Sequence, residues 1–391
     1  MDWSKFSFNF RLSEADLWDE LISIEAYREA ALNLVLPSGW REQLDKLNRV
    51  RAVYGTTALE GNPLSEDEVS RQMEISAQDH PKRATREQLQ IRNAWQAQQW
   101  VRLRFAREHV PLQVRDILTL HRMVTLHSDE RDNVPGQFRT FSVTVGSKNT
   151  GGVHRGAPAE AIPRLMEDYL EFVNSRKLTA YHSVVQALLA HFFIVTIHPF
   201  GDGNGRVSRL VEAGLLFRGG YNVHGFYGLS NYFYRNEIEY RTMLQKCREH
   251  QPFDVMPFVA FGLKGFASEL KGINNFIKTK LNRVVYRDTL VGARDTKVSD
   301  RRRMLNAREY QLLQFLLNET EPTDPFSENP SRQIKLSELQ EAPYIKAAYR
   351  EVTHRTFIRE LMRLADLRFI SFKRTNAGPI VELDFHAIEK Y

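Results

Sequence analysis

Apolar positions along most of this 391-residue chain recur at three- and four-residue intervals, and the pattern predicts a protein built chiefly of helices. One run, Val184, Val185, Leu188, Leu189, Phe192, Phe193 and Val195 with small or apolar neighbours, reads as a helix buried all round. A second, from Val207 through Leu210, Val211, Leu215 and Leu216, keeps helical spacing up to a Gly219-Gly220 stop. Between them lies HPFGDGNGRVSR, residues 198–209, expected to be a loop whose second half opens the next helix near Asn204. Further upstream, Trp40, Leu44, Leu47, Val50, Val53 and Tyr54 share helical spacing, with Gly61-Asn62-Pro63 as the stop.

Alternation replaces this period in two places. Phe141, Val143 and Val145 alternate with polar residues within 136–158, and the turn Asn149-Thr150-Gly151-Gly152 completes a hairpin signal. Near the C-terminus, strands at 368–373 and 380–384 flank Thr375-Asn376-Ala377-Gly378, after helices expected at 306–317, 336–341 and 353–365. Three helices and a two-stranded wing suggest a winged helix. The expected fold class is therefore all-α: a helical core with a β-hairpin flap and a small C-terminal winged helix-turn-helix domain. Its expected divisions are 1–100, an N-terminal helical region; 101–270, the core; 271–300, a basic amphipathic connector; and 301–391, the winged-helix-like domain.

The 198–209 loop concentrates the chemistry. Free N–H groups at a helix start attract anions, and the glycines at 203 and 205 let the backbone approach closely. Arg206 and Arg209, three apart, offer guanidinium forks suited to a di- or triphosphate. Asp202 could hold Mg2+ that also touches the phosphates, and His198 has the basicity to take a proton from a hydroxyl. Nucleotide, metal and base together imply transfer of a phosphorus group to an acceptor hydroxyl. Each element alone is more often structural; the conjunction between two apolar helices carries the reading.

At these residues the chain resembles the Fic (filamentation induced by cAMP) family, whose core pattern is H-x-F-x-[DE]-G-N-G-R-x-x-R. His198, Phe200, Asp202, Gly203, Asn204, Gly205, Arg206 and Arg209 match every specified position. The resemblance implies adenylylation: a target hydroxyl attacks the α-phosphate of ATP, AMP is attached and pyrophosphate leaves. It makes His198 the general base and Asp202 the Mg2+ ligand. Gly203, Asn204 and Gly205 would cradle the phosphates, Arg206 would neutralise the leaving charge and Arg209 would hold the γ-phosphate.

Three further segments resemble parts of the same family. TTALEGN at 56–62 is similar to its inhibitory pattern [ST]-x-x-x-E-[GN], with Thr56, Glu60 and Gly61 in place, which implies that Glu60 pairs with Arg209 and blocks γ-phosphate seating. Some members with this arrangement also remove AMP. The hairpin at about 141–158 corresponds to the flap that aligns a protein target by strand addition. LSNYFYRNEIEYRTMLQ resembles the segment over the adenine, which implies base contact by Tyr240. Where a second tyrosine often stands, this chain has Arg241. The choice of nucleotide is therefore open, since relatives that move UMP, phosphate or phosphocholine share the core motif.

Composition sets the limits. Apolar residues make up 42% of the chain, enough for real cores, and no uncharged stretch is long enough to span a membrane. The start carries acids too early for a signal peptide, and Cys247 stands alone, which excludes internal disulfides and suits a reducing cytoplasm. The formal charge of +6, from 54 basic and 48 acidic residues, reads as a mild excess spread along the chain. GSKNTGG is not a Walker A loop, because Gly152 and Val153 stand where Lys and Ser/Thr are required. Arg355, Arg359 and Arg363 form a basic stripe at i, i+4, i+8 opposite Phe357, Leu361 and Leu364. A DNA-binding regulator with a nucleotide-sensing core therefore competes with the transferase, although such stripes are more often solvated faces. A metal hydrolase using His182, His191, His198 and Asp202 is disfavoured, because that spacing does not bring three imidazoles to one helical face. A homo-oligomer is compatible with the chain.

Overall fold

The computed structural model describes all residues except 1, 35, 79–83, 107–109, 129–132, 148–151, 222–227, 300–301, 324–330 and 391. It resolves into two compact units, 1–270 and 271–391. Helices dominate both, and no described helix is long and apolar enough to cross a membrane.

At the centre of the first unit lie helices Ser183–Ile197 and Asn204–Arg218, packed against each other. Every residue from Val184 to Ile197 is buried, as a run apolar on all faces requires. Helices Arg86–Arg104, Val114–Thr125 and Ser38–Ala58 pack on the second of the pair, and Ile162–Asn174 packs on the first. Phe192 and Phe193 anchor an aromatic cluster with Phe172, Phe253 and Phe258, with ring centroids 5.0–6.4 Å apart. Full burial of each such ring contributes about 2–3 kcal/mol. The central pair is therefore a rigid base for the loop it carries.

The hairpin forms from Thr144–Ser147 and Gly152–Arg155, antiparallel, with Val145 opposite His154. Its expected turn at 149–151 lies outside the described residues. One element had no sequence signal: Phe10–Arg11 pairs in parallel with Phe253–Asp254, and two-residue strands are too short for a period to show.

In the second unit, helices Ala307–Glu319, Leu336–Glu341, Pro343–Ala348 and His354–Asp366 precede the hairpin Ile370–Thr375 and Gly378–Leu383. A third strand, Ile334–Lys335, adds to Gly378–Leu383, where two strands were expected. Leu312, Leu316, Phe357, Leu361, Leu364 and Phe369 form part of its own core. The expected connector contains no break near 271: a single helix runs from Met256 to Asp295.

Candidate functional site

The chain leaves the Ser183–Ile197 helix at His198, which adopts left-handed backbone angles (φ 56°, ψ 61°) that cost a non-glycine residue about 1 kcal/mol. Arg139 holds it there. Its Nε donates to the His198 carbonyl at 2.8 Å, while its two Nη groups donate to the carbonyls of Phe141 and Ala157, both at 2.5 Å. One buried guanidinium thus ties the base of the hairpin to the loop. The Nδ1 of His198 lies 3.3 Å from the Val195 carbonyl, which can only accept, so Nδ1 carries the proton and Nε2 the lone pair. Burial, aided by the Arg248 and Arg139 charges, lowers this imidazole to about 4, so it is neutral at pH 7.

Beyond His198 the loop is held from several sides. The Asn204 side chain accepts from Phe200 N–H at 2.9 Å and donates to the Phe200 carbonyl at 2.8 Å. His121 stacks on Phe200 with centroids 3.8 Å apart; its Nδ1 accepts from Gly136 N–H, so its Nε2 donates to the Asp202 carbonyl at 3.1 Å. Asn133 accepts from Asp202 N–H at 2.9 Å. Gly203 then turns the chain at φ 79° into the Asn204–Arg218 helix, where a Cβ would stand 2.8 Å from Thr125 Cγ2. Gly203 N–H donates to Asp202 Oδ1 at 2.6 Å, and the N–H groups of Asn204 and Gly205 follow in the first turn, where no backbone acceptor precedes them.

Side chains around that start divide into those that face the cavity and those that do not. A cavity of about 250 Å3 is lined by Glu60, His154, His198, Asp202, Gly203, Asn204, Gly205, Arg209, Tyr240, Arg241 and Arg248, with the hairpin residues Val145, Gly146 and Gly152. Arg206 is not among them. It is buried, donating to the Val124 carbonyl and to Asp202 Oδ2, each at 2.9 Å. Its guanidinium braces the Val124 carbonyl and the Asp202 carboxylate, because side chains at helix position three point back across the first turn. Asn204 likewise spends its amide on Phe200, so only its backbone is available to an anion.

Glu60 and Arg209 meet at the far end. The Ser38–Ala58 helix stops at Leu59, and Glu60 follows in a turn closed by Asn62 N–H on the Thr57 carbonyl at 3.1 Å. From there Glu60 Oε1 accepts from Arg209 Nη2 at 2.7 Å, while Arg209 also donates to Thr56 Oγ1 at 2.8 Å and the Thr56 carbonyl at 3.0 Å. Glu60 Oε1 lies so close to Gly205 that a Cβ there would collide with it. Burial acts to raise the Glu60 carboxyl, but Arg209, Arg206 and Arg241 outweigh it and hold the group below its ordinary value. Its anionic form occupies the helix start.

Tyr240 lines the cavity, and its hydroxyl is committed elsewhere. Glu212 accepts from His191 Nδ1 at 2.6 Å, which leaves Nε2 to accept from the Tyr240 hydroxyl at 2.9 Å. Arg241 pairs with Glu237 at 2.9 Å and donates to the Leu59 carbonyl. His182 caps the opposite end of the Ser183–Ile197 helix and bonds Glu25 at 2.9 Å. The histidines of the disfavoured hydrolase thus point to separate partners, and no group of three metal-ligating side chains occurs among the described residues. His121, Asn133, Arg139 and Glu212 carried no sequence signal, since each is an isolated polar residue in an otherwise helical or irregular stretch.

With this geometry in view, residues 111–216 match the model of the Fic/DOC family. The chain is 31% identical to the protein adenylyltransferase Fic of Aedes aegypti over 180 residues, 46% of this chain and 34% of the relative. It is 40% identical to the protein adenylyltransferase Fic of Drosophila erecta over 114 residues, 29% of this chain and 21% of the relative. The chain thus spans about a third or less of these curated relatives. A Fic family protein from Desulfovibrio desulfuricans shares the fold with a TM-score of 0.56 at 18% identity, over 97% of this chain and 98% of that one. Glu60, Tyr240 and Arg241 lie outside the matched segment, whereas the whole 198–209 loop lies within it. The match to the Fic/DOC family model thus covers about a quarter of the chain and includes, up to Leu216, the helix-loop-helix that carries His198, Asp202 and Arg209.

Proposed function

We propose that this chain is an autoinhibited protein adenylyltransferase that moves AMP from ATP onto a hydroxyl side chain of a target protein, itself included. The observation that carries the reading is the helix start at Gly203–Gly205 lining a cavity, with His198 on one side and the Glu60–Arg209 pair on the other. Neutral His198 takes the proton of the attacking hydroxyl on Nε2. The hydroxyl oxygen bonds the α-phosphorus as the bond from that phosphorus to the bridging oxygen breaks, and pyrophosphate leaves with the electron pair. Backbone N–H groups in the first turn of the Asn204–Arg218 helix stabilise the anionic phosphates, the largest electrostatic contribution available here.

Mg2+ takes one or two carboxylates plus substrate phosphates, and the Asp202 carboxylate beside the helix start fits that donor set. Bound there, it would neutralise phosphate charge. Arg206 acts through Asp202, fixing the carboxylate at 2.9 Å. Arg209 receives the γ-phosphate once Glu60 releases it, and the hairpin at about 141–158 offers its edge to the target backbone. Tyr240 packs beside the base. The cavity of about 250 Å3 is below the ~300–1,000 Å3 usual for small-molecule sites, consistent with Glu60 filling its Arg209 end.

Incubation with ATP labelled at the α-phosphate, followed by mass spectrometry of the modified protein, tests the reading. An adduct of AMP mass on Ser, Thr or Tyr is expected. Because Arg241 stands at the edge of the base site, the same experiment with UTP and CTP decides the nucleotide; a uridylyl adduct or a bare phosphoryl adduct would replace adenylyl transfer.

A further inference from the structure

Charge divides unequally between the two units. Residues 271–391 hold 22 Lys and Arg against 16 Asp and Glu, which is the whole formal excess of +6, while residues 1–270 hold 32 of each. The excess is not spread along the chain, and a basic surplus confined to one unit is the electrostatic footprint of a polyanionic partner.

Within that unit the His354–Asp366 helix buries Phe357, Leu361 and Leu364 and begins without an acid in its first turn. The arginine stripe on it splits. Arg363 turns inward, where Nη1 donates to both Glu309 oxygens at 2.5 and 2.6 Å and Nη2 to the Met304 carbonyl at 2.6 Å. Arg355 and Arg359, one turn apart, are exposed, and no hydrogen bond or ion pair engages either one among the described residues. Arg359 also lines a recess of about 840 Å3 with Arg294 and Arg303, both paired with the exposed Asp295, and with Glu309 and Glu360, whose carboxylates are engaged by Arg363 and Arg308.

We propose that this face, centred on Arg355 and Arg359, binds the phosphate backbone of double-stranded DNA. Pro343–Ala348 leads through residues 349–353 into the longer helix, an order in which the second helix offers its N-terminal residues to a groove. A B-form major groove, about 12 Å wide, admits a helix; the deep, narrow groove of A-form RNA does not. Half-buried Arg363 anchors the helix, leaving the two outward forks free for phosphate oxygens. The proposal is independent of adenylyl transfer.

Fluorescence anisotropy of the full chain with a labelled random-sequence duplex of about 20 base pairs, across roughly 50–200 mM NaCl, tests it. Affinity should fall log-linearly with salt. The double variant Arg355→Ala/Arg359→Ala should bind about tenfold more weakly with a salt slope shallower by about 2, while its melting temperature stays native. Arg355→Lys/Arg359→Lys should keep most of the binding. An unchanged affinity and slope in the alanine double variant would overturn the proposal. So would equal displacement by polyglutamate, which assigns the face to an acidic protein, or tighter binding of duplex RNA.

Discussion

Glu60 and Arg209 stand 149 residues apart in the chain and form an ion pair at 2.7 Å against the start of the Asn204–Arg218 helix. The position is one that a terminal phosphate would share: a guanidinium fork beside free backbone N–H groups. A carboxylate already resting there competes with a triphosphate for the same donors. In the proposed function, substrate seating and this contact exclude each other by charge as well as by space.

Replacing Glu60 by Gly should therefore raise AMP transfer about tenfold or more. Without nucleotide the same variant should melt at a lower temperature, because Arg209 loses its carboxylate in a low-dielectric site. Saturating ATP should stabilise the variant more than the native chain. Label incorporation and thermal melts with and without ATP give both readouts; equal labelling would remove Glu60 as the inhibitor.

His198→Ala should lose transfer by roughly 10²–10⁴-fold, the usual contribution of a positioned general base. ATP affinity should change little, since the proposed phosphate donors are backbone groups of the following helix and Arg209. Single-turnover labelling paired with a nucleotide-binding titration separates the two effects. A variant that still labels at the native rate would assign the proton to another group.

Arg139→Ala should act on rate more than on nucleotide binding. Its loss leaves the carbonyls of Phe141, Ala157 and His198 without their donor, at a stability cost of about 2–3 kcal/mol, and frees His198 from its left-handed conformation. Arg139→Lys supplies an ammonium without the fork, so it should recover only part of the rate. Urea melts and kcat against KM for ATP check the expectation; a fall in ATP affinity alone would contradict it.

Acid should destabilise the fold earlier than carboxylate titration would. Burial holds both His121 and His198 at about 4, against about 6.5 in an unfolded chain. Between those values the unfolded state binds more protons, so stability falls as pH drops from about 6.5 to 4 and the loss is complete below that. Each histidine contributes roughly 3 kcal/mol at most. Urea midpoints at neutral pH and at intervals down to pH 4 measure it, and a flat profile would show that these imidazoles are solvated.

Much of the 198–209 loop was legible from the chain because its chemistry is contiguous. Apolar runs marked the two helices, and a helix start with glycines and arginines is an anion site wherever it is folded. The Ser38–Ala58 helix and the hairpin strands were visible for the same reason, being periodic over several residues. The family pattern added Glu60 and its partner, which no local period could connect across 149 residues.

Only the tertiary structure decided where side chains of like appearance were spent. Arg206 and Arg209 belong to one motif, yet one is buried against Val124 and Asp202 while the other lines the cavity. Arg359 and Arg363 repeat the contrast in the second unit, where Glu309 draws one inward and leaves the other exposed. The supporting His121, Asn133 and Arg139 arrive from a distant stretch and are defined by the partners they find. Sequence determines periodicity and the supply of functional groups along a helix or loop. Whether a given guanidinium meets solvent, a carbonyl or a carboxylate depends on packing between segments, and no local pattern encodes that.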